Sequence, residues 1–160
     1  MKFYDDYYND LLCITNGILN SDINTNLDYR DTATIQYNKI SSLKTKFNKY
    51  NSSIISEKIK NLKKKMEYSN YYASLLIIYN SYQTNPTQVD LHGLFICEAN
   101  TIVHCLLEIW KTNNIKNATI ITGNLKKNGL HSLVKNILTR NKIKYKIKNS
   151  GIFNLKFFSY

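Results

Sequence analysis

The feature that most constrains this chain is a change of period at its only proline, Pro86. Before it, apolar and small residues recur at helical spacing. Ile55, Ile59, Leu62, Met66, Ser69, Ala73, Leu76 and Asn80 follow one another at steps of four and three. That is a narrow seam of the kind that packs against another helix. Tyr29, Ala33, Tyr37, Ile40, Leu43 and Phe47 run at compatible spacing. Residues 27–84 are therefore expected to form an antiparallel helical hairpin, broken near Asn48–Ser53. Residues 1–26 are expected as a separate segment. It holds at most a short helix around Tyr7–Leu19, and a poorly ordered terminus is the default.

Pro86 sits in the polar stretch QTNPTQ, which marks a boundary. Beyond it the period alternates between two and 3.6. Gln88–Leu91 is a short strand, and Cys97–Thr112 is amphipathic, with Ala99, Ile102, Val103, Leu106 and Ile109 on one stripe. The apolar run ATII at 118–121 has the character of a buried strand. Leu130, Leu133, Val134, Ile137 and Leu138 mark one face of a helix. In KYKIK, residues 144–148, Tyr145 and Ile147 face away from the lysines, and Gly151 turns the chain into a strand at Phe153–Phe158. The order is β-α-β-α-β-β. A crossover helix between the first two strands implies a small two-layer α/β sandwich over residues 87–160, preceded by the α-helical hairpin.

Charge narrows the partners. Lys and Arg number 22 against 11 Asp and Glu, a net charge of +11. Residues 1–26 carry −3, residues 27–84 carry +6 and residues 85–160 carry +8. A balance of that kind suits a polyanion such as RNA or DNA, or an acidic membrane face. The alternative is plain solvated surface, because Lys, Asn, Ile and Tyr are abundant together, as AT-rich codons produce. The run Lys63–Lys65 fits a solvated helix face. The three cysteines, Cys13, Cys97 and Cys105, make no CxxC and no paired framework, which suits a reducing compartment. No apolar run approaches the ~18 residues of a spanning helix. The start MKFYDDYYND has acids where a signal peptide needs an apolar stretch. A cytoplasmic or nuclear protein with no membrane partner is expected. Oligomeric state is not legible.

Two constellations carry chemistry. In VDLHGLF, residues 89–95, Asp90 and His92 stand two positions apart, so an extended chain points both to one side. A carboxylate beside an imidazole can be a charge pair, a hydrogen-bonded scaffold, a metal site or an acid/base device. The second is TGNLKKNGLHS, residues 122–132. Gly123 allows a tight turn and Gly129 a close approach at the helix start. Lys126 and Lys127 add cations to the free N–H groups of a helix N-terminus, which favour a phosphate. The spacing fits neither a Walker loop nor a dinucleotide fingerprint, and an ordinary polar loop is the alternative. His131 lies near the proposed cradle. His104, Trp110 and the tyrosines fit packing or surface positions. Carboxyl ends of parallel strands line one crevice, so Asp90, His92, Lys126 and Lys127 are expected to converge.

V-D-L-H-G-L, the Glu98–Ala99 pair, I-I-T-G and the basic loop with Gly129 together resemble the Smr (small MutS-related) domain. S-G-I-F-N-L at 150–155 is similar to its terminal Pro-Gly hairpin and last strand. The resemblance spans roughly residues 87–158. Tyr29, Arg30 and Ala33, with NLKKKM at 61–66 and ASLLIIYN at 73–80, resemble the helical extension, of unknown function, found before Smr domains in eukaryotic proteins. What the resemblance implies is an endonuclease acting on RNA or DNA. For this form it implies cleavage of mRNA at stalled or collided ribosomes. The family's D-x-H falls on Asp90 and His92 as catalytic residues, and its T-G on Thr122 and Gly123. Gly93, Asn124, Lys126, Lys127, Gly129 and His131 complete the expected nucleic-acid-binding set. The family loop begins G-x-G, often with arginine between the glycines; here Asn124 and Leu125 follow Gly123. Lysines supply charge there but not an arginine's bidentate fork. RNA carries its own nucleophile, so the expected route needs no cofactor, with His92 moving the proton. A divalent ion on Asp90 and His92 is the second route. A non-catalytic RNA- or ribosome-binding module and a DNA endonuclease on branched or repair intermediates remain the alternatives.

Overall fold

The computed structural model describes residues 2–46, 52–123, 129–149 and 151–157. After Pro86 every expected element is present. These are β1 (Gln88–Asp90), α4 (Ile96–Thr112), β2 (Asn117–Ile121), α5 (Leu130–Arg140), β3 (Lys144–Lys148) and β4 (Ile152–Lys156). The four strands form one sheet in the order β1-β2-β4-β3. β1 and β2 are parallel, joined across α4, while β4 runs antiparallel to both β2 and β3. The sandwich read from the sequence is thus the architecture of the molecule.

Register explains the two faces. Val89, Ile120 and Phe153 stand opposite one another across three strands, as do Ala118 and Leu155. All five are buried, under the apolar stripes of α4 (Ala99, Ile102, Val103, Leu106, Ile109) and α5 (Leu130, Val134, Ile137, Leu138). Burying each such large side chain stabilises the fold by about 1.5–3 kcal/mol. The alternate residues, among them Asp90, Asn117, Asn154 and the β3 lysines, point the other way and are half-buried or exposed. Among the described residues the sheet therefore has one helix-covered face and one open face.

Before Pro86 lie α1 (Lys2–Thr15), α2 (Tyr29–Thr45) and α3 (Ser52–Thr84). The chain divides into two compact units: residues 24–73, and residues 1–23 together with 74–160. Sequence punctuation placed its divisions after residue 26 and at Pro86; the contacts group α1 and the last part of α3 with the sheet.

The first segment is not a loose terminus. Tyr7, Leu11 and Ile14 recur at helical spacing in α1 and are buried, and α1 packs against α4. The Tyr4 hydroxyl donates to Glu108 of α4 at 3.1 Å, and the Tyr7 hydroxyl shares a hydrogen bond with Ser74 at 2.8 Å. The helix also stops short of Leu19. Gly17 is left-handed (φ +78°), and the N–H groups of Gly17 and Ile18 return to the carbonyls of Ile14 and Cys13. That double return is how a glycine closes a helix.

In the unit of residues 24–73, Asp28 caps α2 by accepting the Asp31 N–H. The first turn of α2 meets α3 where Arg30 donates to Asn70 at 2.8 Å and the Tyr29 ring lies 5.5 Å from that of Tyr72. Ala33 and Ile40 are buried as expected, but Tyr37 is 60% exposed. Phe47 lies outside the described residues. The α3 seam is buried at Ile55, Ser69 and Ala73 and half-buried at Ile59, Leu62 and Met66, and then it changes face. Leu76 is half-buried and Asn80 exposed, whereas Ser74, Leu75, Ile78 and Tyr82 are buried. The reason is a change of neighbours: this part of α3 packs within the sheet-bearing unit, where the Tyr82 hydroxyl accepts the Trp110 indole N–H of α4.

Candidate functional site

β1 ends at Asp90, but its pairing carries on one residue further, because the Leu91 N–H donates to the Ile121 carbonyl at 2.9 Å. Asp90 then directs the turn. Its Oδ1 accepts the backbone N–H of His92 at 2.9 Å and lies 2.7 Å from His92 Nδ1. One carboxylate oxygen thus holds both the backbone and the ring of the residue two positions on, a local bond that aspartate makes readily at turns. Both side chains remain accessible, 59% for His92 and 42% for Asp90. With Nδ1–H donating to the carboxylate, the neutral ring keeps its lone pair on Nε2.

The Nε2 edge lies over the end of β2. A methyl group added at Gly123 would sit 2.2 Å from Nε2, so only a hydrogen fits between the ring and this backbone. Gly123 is also left-handed (φ +72°), a conformation costly for any other residue. Beneath it comes the hairpin turn. A methyl at Gly151 would fall 2.3 Å from the Gly123 carbonyl oxygen, and the Thr122 N–H donates to the Gly151 carbonyl at 2.8 Å. His92, Gly123 and Gly151 are therefore stacked, from three segments distant in sequence.

Two residues outside the expected site set support this centre. Ser81 of α3 accepts the Asp90 N–H at 2.8 Å and leans its hydroxyl toward the Gln88 carbonyl at 3.4 Å. It thereby covers part of the edge of β1, which has a partner strand on one side alone. No period in the sequence signals it, since it sits on the half-buried flank of α3. Glu98, buried in the first turn of α4, accepts the Phe95 N–H at 2.9 Å. It thereby fixes where that helix begins, five residues after Leu91.

The expected site residues separate accordingly. Asp90, His92 and Gly123 come together. Gly93 is left-handed (φ +82°) and exposed in the turn after His92. Thr122, expected to touch nucleic acid, has a fully buried side chain whose hydroxyl donates to the Gly151 carbonyl at 3.2 Å. It ties β2 to the hairpin. Gly129 does make a close approach, but to the Ile96 side chain of α4, 3.2 Å from where its Cβ would stand. The His131 ring is partly buried, 4.8 Å from the Phe153 ring, and its Nε2 has no partner among the described residues. Burial, then the neighbouring Lys135 charge, push its pKa below the ordinary histidine value. Asn124, Lys126 and Lys127 lie outside the described residues.

Among the described residues no three His, Cys, Asp or Glu side chains are grouped to hold a metal ion. Asp90 and His92 offer two donors, and those donors face each other. No helix among the described residues is long and apolar enough to cross a membrane.

No protein-family model matches the sequence, and no curated protein matches it significantly. Among solved structures, the chain is similar to the solution structure of the B3BP Smr domain, at 20% identity and a TM-score of 0.42, over 56% of this chain and 97% of that one. A similarity at that level carries no argument about activity, substrate or site.

Proposed function

We propose that this chain is an Smr-like endonuclease that cleaves RNA by acid–base chemistry centred on Asp90 and His92. One observation carries the proposal: Asp90 holds His92 at Nδ1, at 2.7 Å, and leaves Nε2 to act at the accessible end of the two parallel strands. Nε2 takes the proton of a ribose 2′-OH, whose oxygen attacks the adjacent phosphorus. The 5′-oxygen leaves and takes a proton, giving a 2′,3′-cyclic phosphate and a 5′-hydroxyl. Asp90 keeps the ring in the tautomer that has a free Nε2 and stabilises the imidazolium once formed. Lys126 and Lys127 are assigned to the phosphate from the sequence. The Smr resemblance supplies the setting, mRNA on stalled or collided ribosomes in the cytoplasm. DNA lacks the attacking hydroxyl and is not cut by this route.

The test is incubation of the full chain with a single-stranded oligoribonucleotide, with analysis of the product ends. Cyclic phosphate termini are expected, with cleavage unaffected by a chelator and reduced about 10²–10⁴-fold in Asp90→Asn and His92→Ala. Wild-type cleavage no faster than that of either variant would overturn the enzymatic proposal. The absence of an arginine fork after Gly123 favours a second reading, a module that grips RNA without cutting it. Salt-sensitive binding with no cleavage in any metal would establish that one.

A further inference from the structure

The open face of the sheet has a composition that the centre at Asp90 and His92 does not use. Lys144, Lys146 and Lys148 of β3 and Lys156 of β4 project from it, and all four are exposed. Asp90 is the only acid among its strand positions, and none of those positions is aromatic. Lys148 stands in the same cross-strand row as Asp90, through Ile121 and Ile152. In the row at the far end of the strands, Asn117, Lys156 and Lys144 stand opposite one another, and Lys146 pairs with Asn154 in the row between. An open groove of about 600 Å³ runs along these last two rows. Lysines on an edge strand can serve merely to block a second sheet. Here the cations continue onto β4, which is not an edge, and they flank a groove.

We propose that this face binds the sugar–phosphate backbone of single-stranded RNA leading away from Asp90 and His92. The proposal rests on the RNA-cleaving reading of that centre. Charge complementarity identifies the occupant: four ammonium groups with amide side chains between them suit successive phosphates and sugar hydroxyls. With no aromatic platform, the face gains no stacking energy from bases, so binding along it is indifferent to sequence. A strand contacting all four lysines contributes a slope of about −3 to log K against log salt, from about −0.7 per neutralised phosphate on a single strand.

The experiment measures fluorescence anisotropy of the full chain with a labelled single-stranded RNA over a salt series. It compares wild type with Lys146→Glu/Lys148→Glu/Lys156→Glu. Glutamate keeps the edge charged, so protection against sheet pairing is retained, and circular dichroism checks the fold. A control, Lys63→Glu/Lys64→Glu/Lys65→Glu, makes the same change of net charge on α3. The β3–β4 variant is expected to bind at least tenfold more weakly, with a slope shallower by about 2, and the α3 variant to keep the wild-type slope. Equal weakening in both triple variants overturns the proposal, as does a duplex competing as well as the single strand. If wild type fails to cleave but binds with this lysine-dependent slope, the nuclease reading falls and the track stands. If the β3–β4 variant binds and cleaves like wild type while Asp90→Asn does not cleave, the track falls and the nuclease reading stands.

Discussion

A single hydrogen atom decides whether the imidazole can lie where it does. The His92 ring rests on the α-carbon of Gly123, and the Gly123 carbonyl rests on Gly151. In Gly123→Ala a methyl group would occupy the place of Nε2, and the ring must swing away from the strand end. The left-handed backbone adds about 1–2 kcal/mol of destabilisation. Because misplacement by about 1 Å can cost 10²-fold in rate, cleavage is expected to fall about 10²-fold or more while RNA affinity changes little. Steady-state cleavage beside anisotropy checks this, and a wild-type rate would show that the ring position is irrelevant. At this scale the sequence was legible where geometry is local. Asp90 and His92 had to share a side because they are two positions apart in an extended chain. The buried end of Thr122 was not legible, because its partner, Gly151, is brought in by strand pairing that no local pattern encodes.

The elements show where periodicity suffices and where it misleads. The β4 and β2 strands and the α4 and α5 helices were readable because each keeps one face in the core along its whole length. α3 was misread in its last part because it changes neighbours at Ser74, and a period carries no record of which neighbour a face meets. α1 was undervalued because three acids, Asp5, Asp6 and Asp10, interrupt the stripe of Tyr7, Leu11 and Ile14 in the sequence. Leu11 is fully buried, so Leu11→Ala should cost about 2–5 kcal/mol in urea unfolding. A dispensable terminus would lose no more than about 0.5 kcal/mol. Ser81 tests the joint between α3 and β1. Ser81→Ala leaves the Asp90 N–H without its acceptor, and about 1–3 kcal/mol should be lost. Amide exchange at Asp90 faster than at Leu91 would locate that loss at the strand edge; unchanged stability and exchange would mean that the serine is not holding it.

At the scale of the molecule, four titratable groups with shifted pKa values make the stability of the sheet-bearing unit depend on pH. His131 has its pKa lowered by burial and by Lys135. As pH falls through about 6.5, the unfolded chain takes up a proton that the folded chain resists, so stability declines below that value and is fully present above it. Cys105 works from the other side. Burial raises its thiol from 9.0 to about 11, although a hydrogen bond to Tyr4 opposes the rise. Between those values the unfolded chain loses a proton that the folded chain keeps, so stability declines as pH rises from 9.0 toward 11. Tyr4 and Tyr82, both pushed upward chiefly by burial, extend that alkaline decline. All four groups belong to the unit of residues 1–23 and 74–160. A plateau between about pH 6.5 and 9 is therefore expected, with a fall on each side. Chemical unfolding at a series of pH values measures it. His131→Gln should flatten the slope between about pH 7 and 5, whatever offset the substitution adds, because the proton taken up on unfolding is gone. Cys105→Ala should move the start of the alkaline decline up to the tyrosine range. An acid slope that survives in His131→Gln would show that the partly buried ring beside Phe153 is not the group that responds.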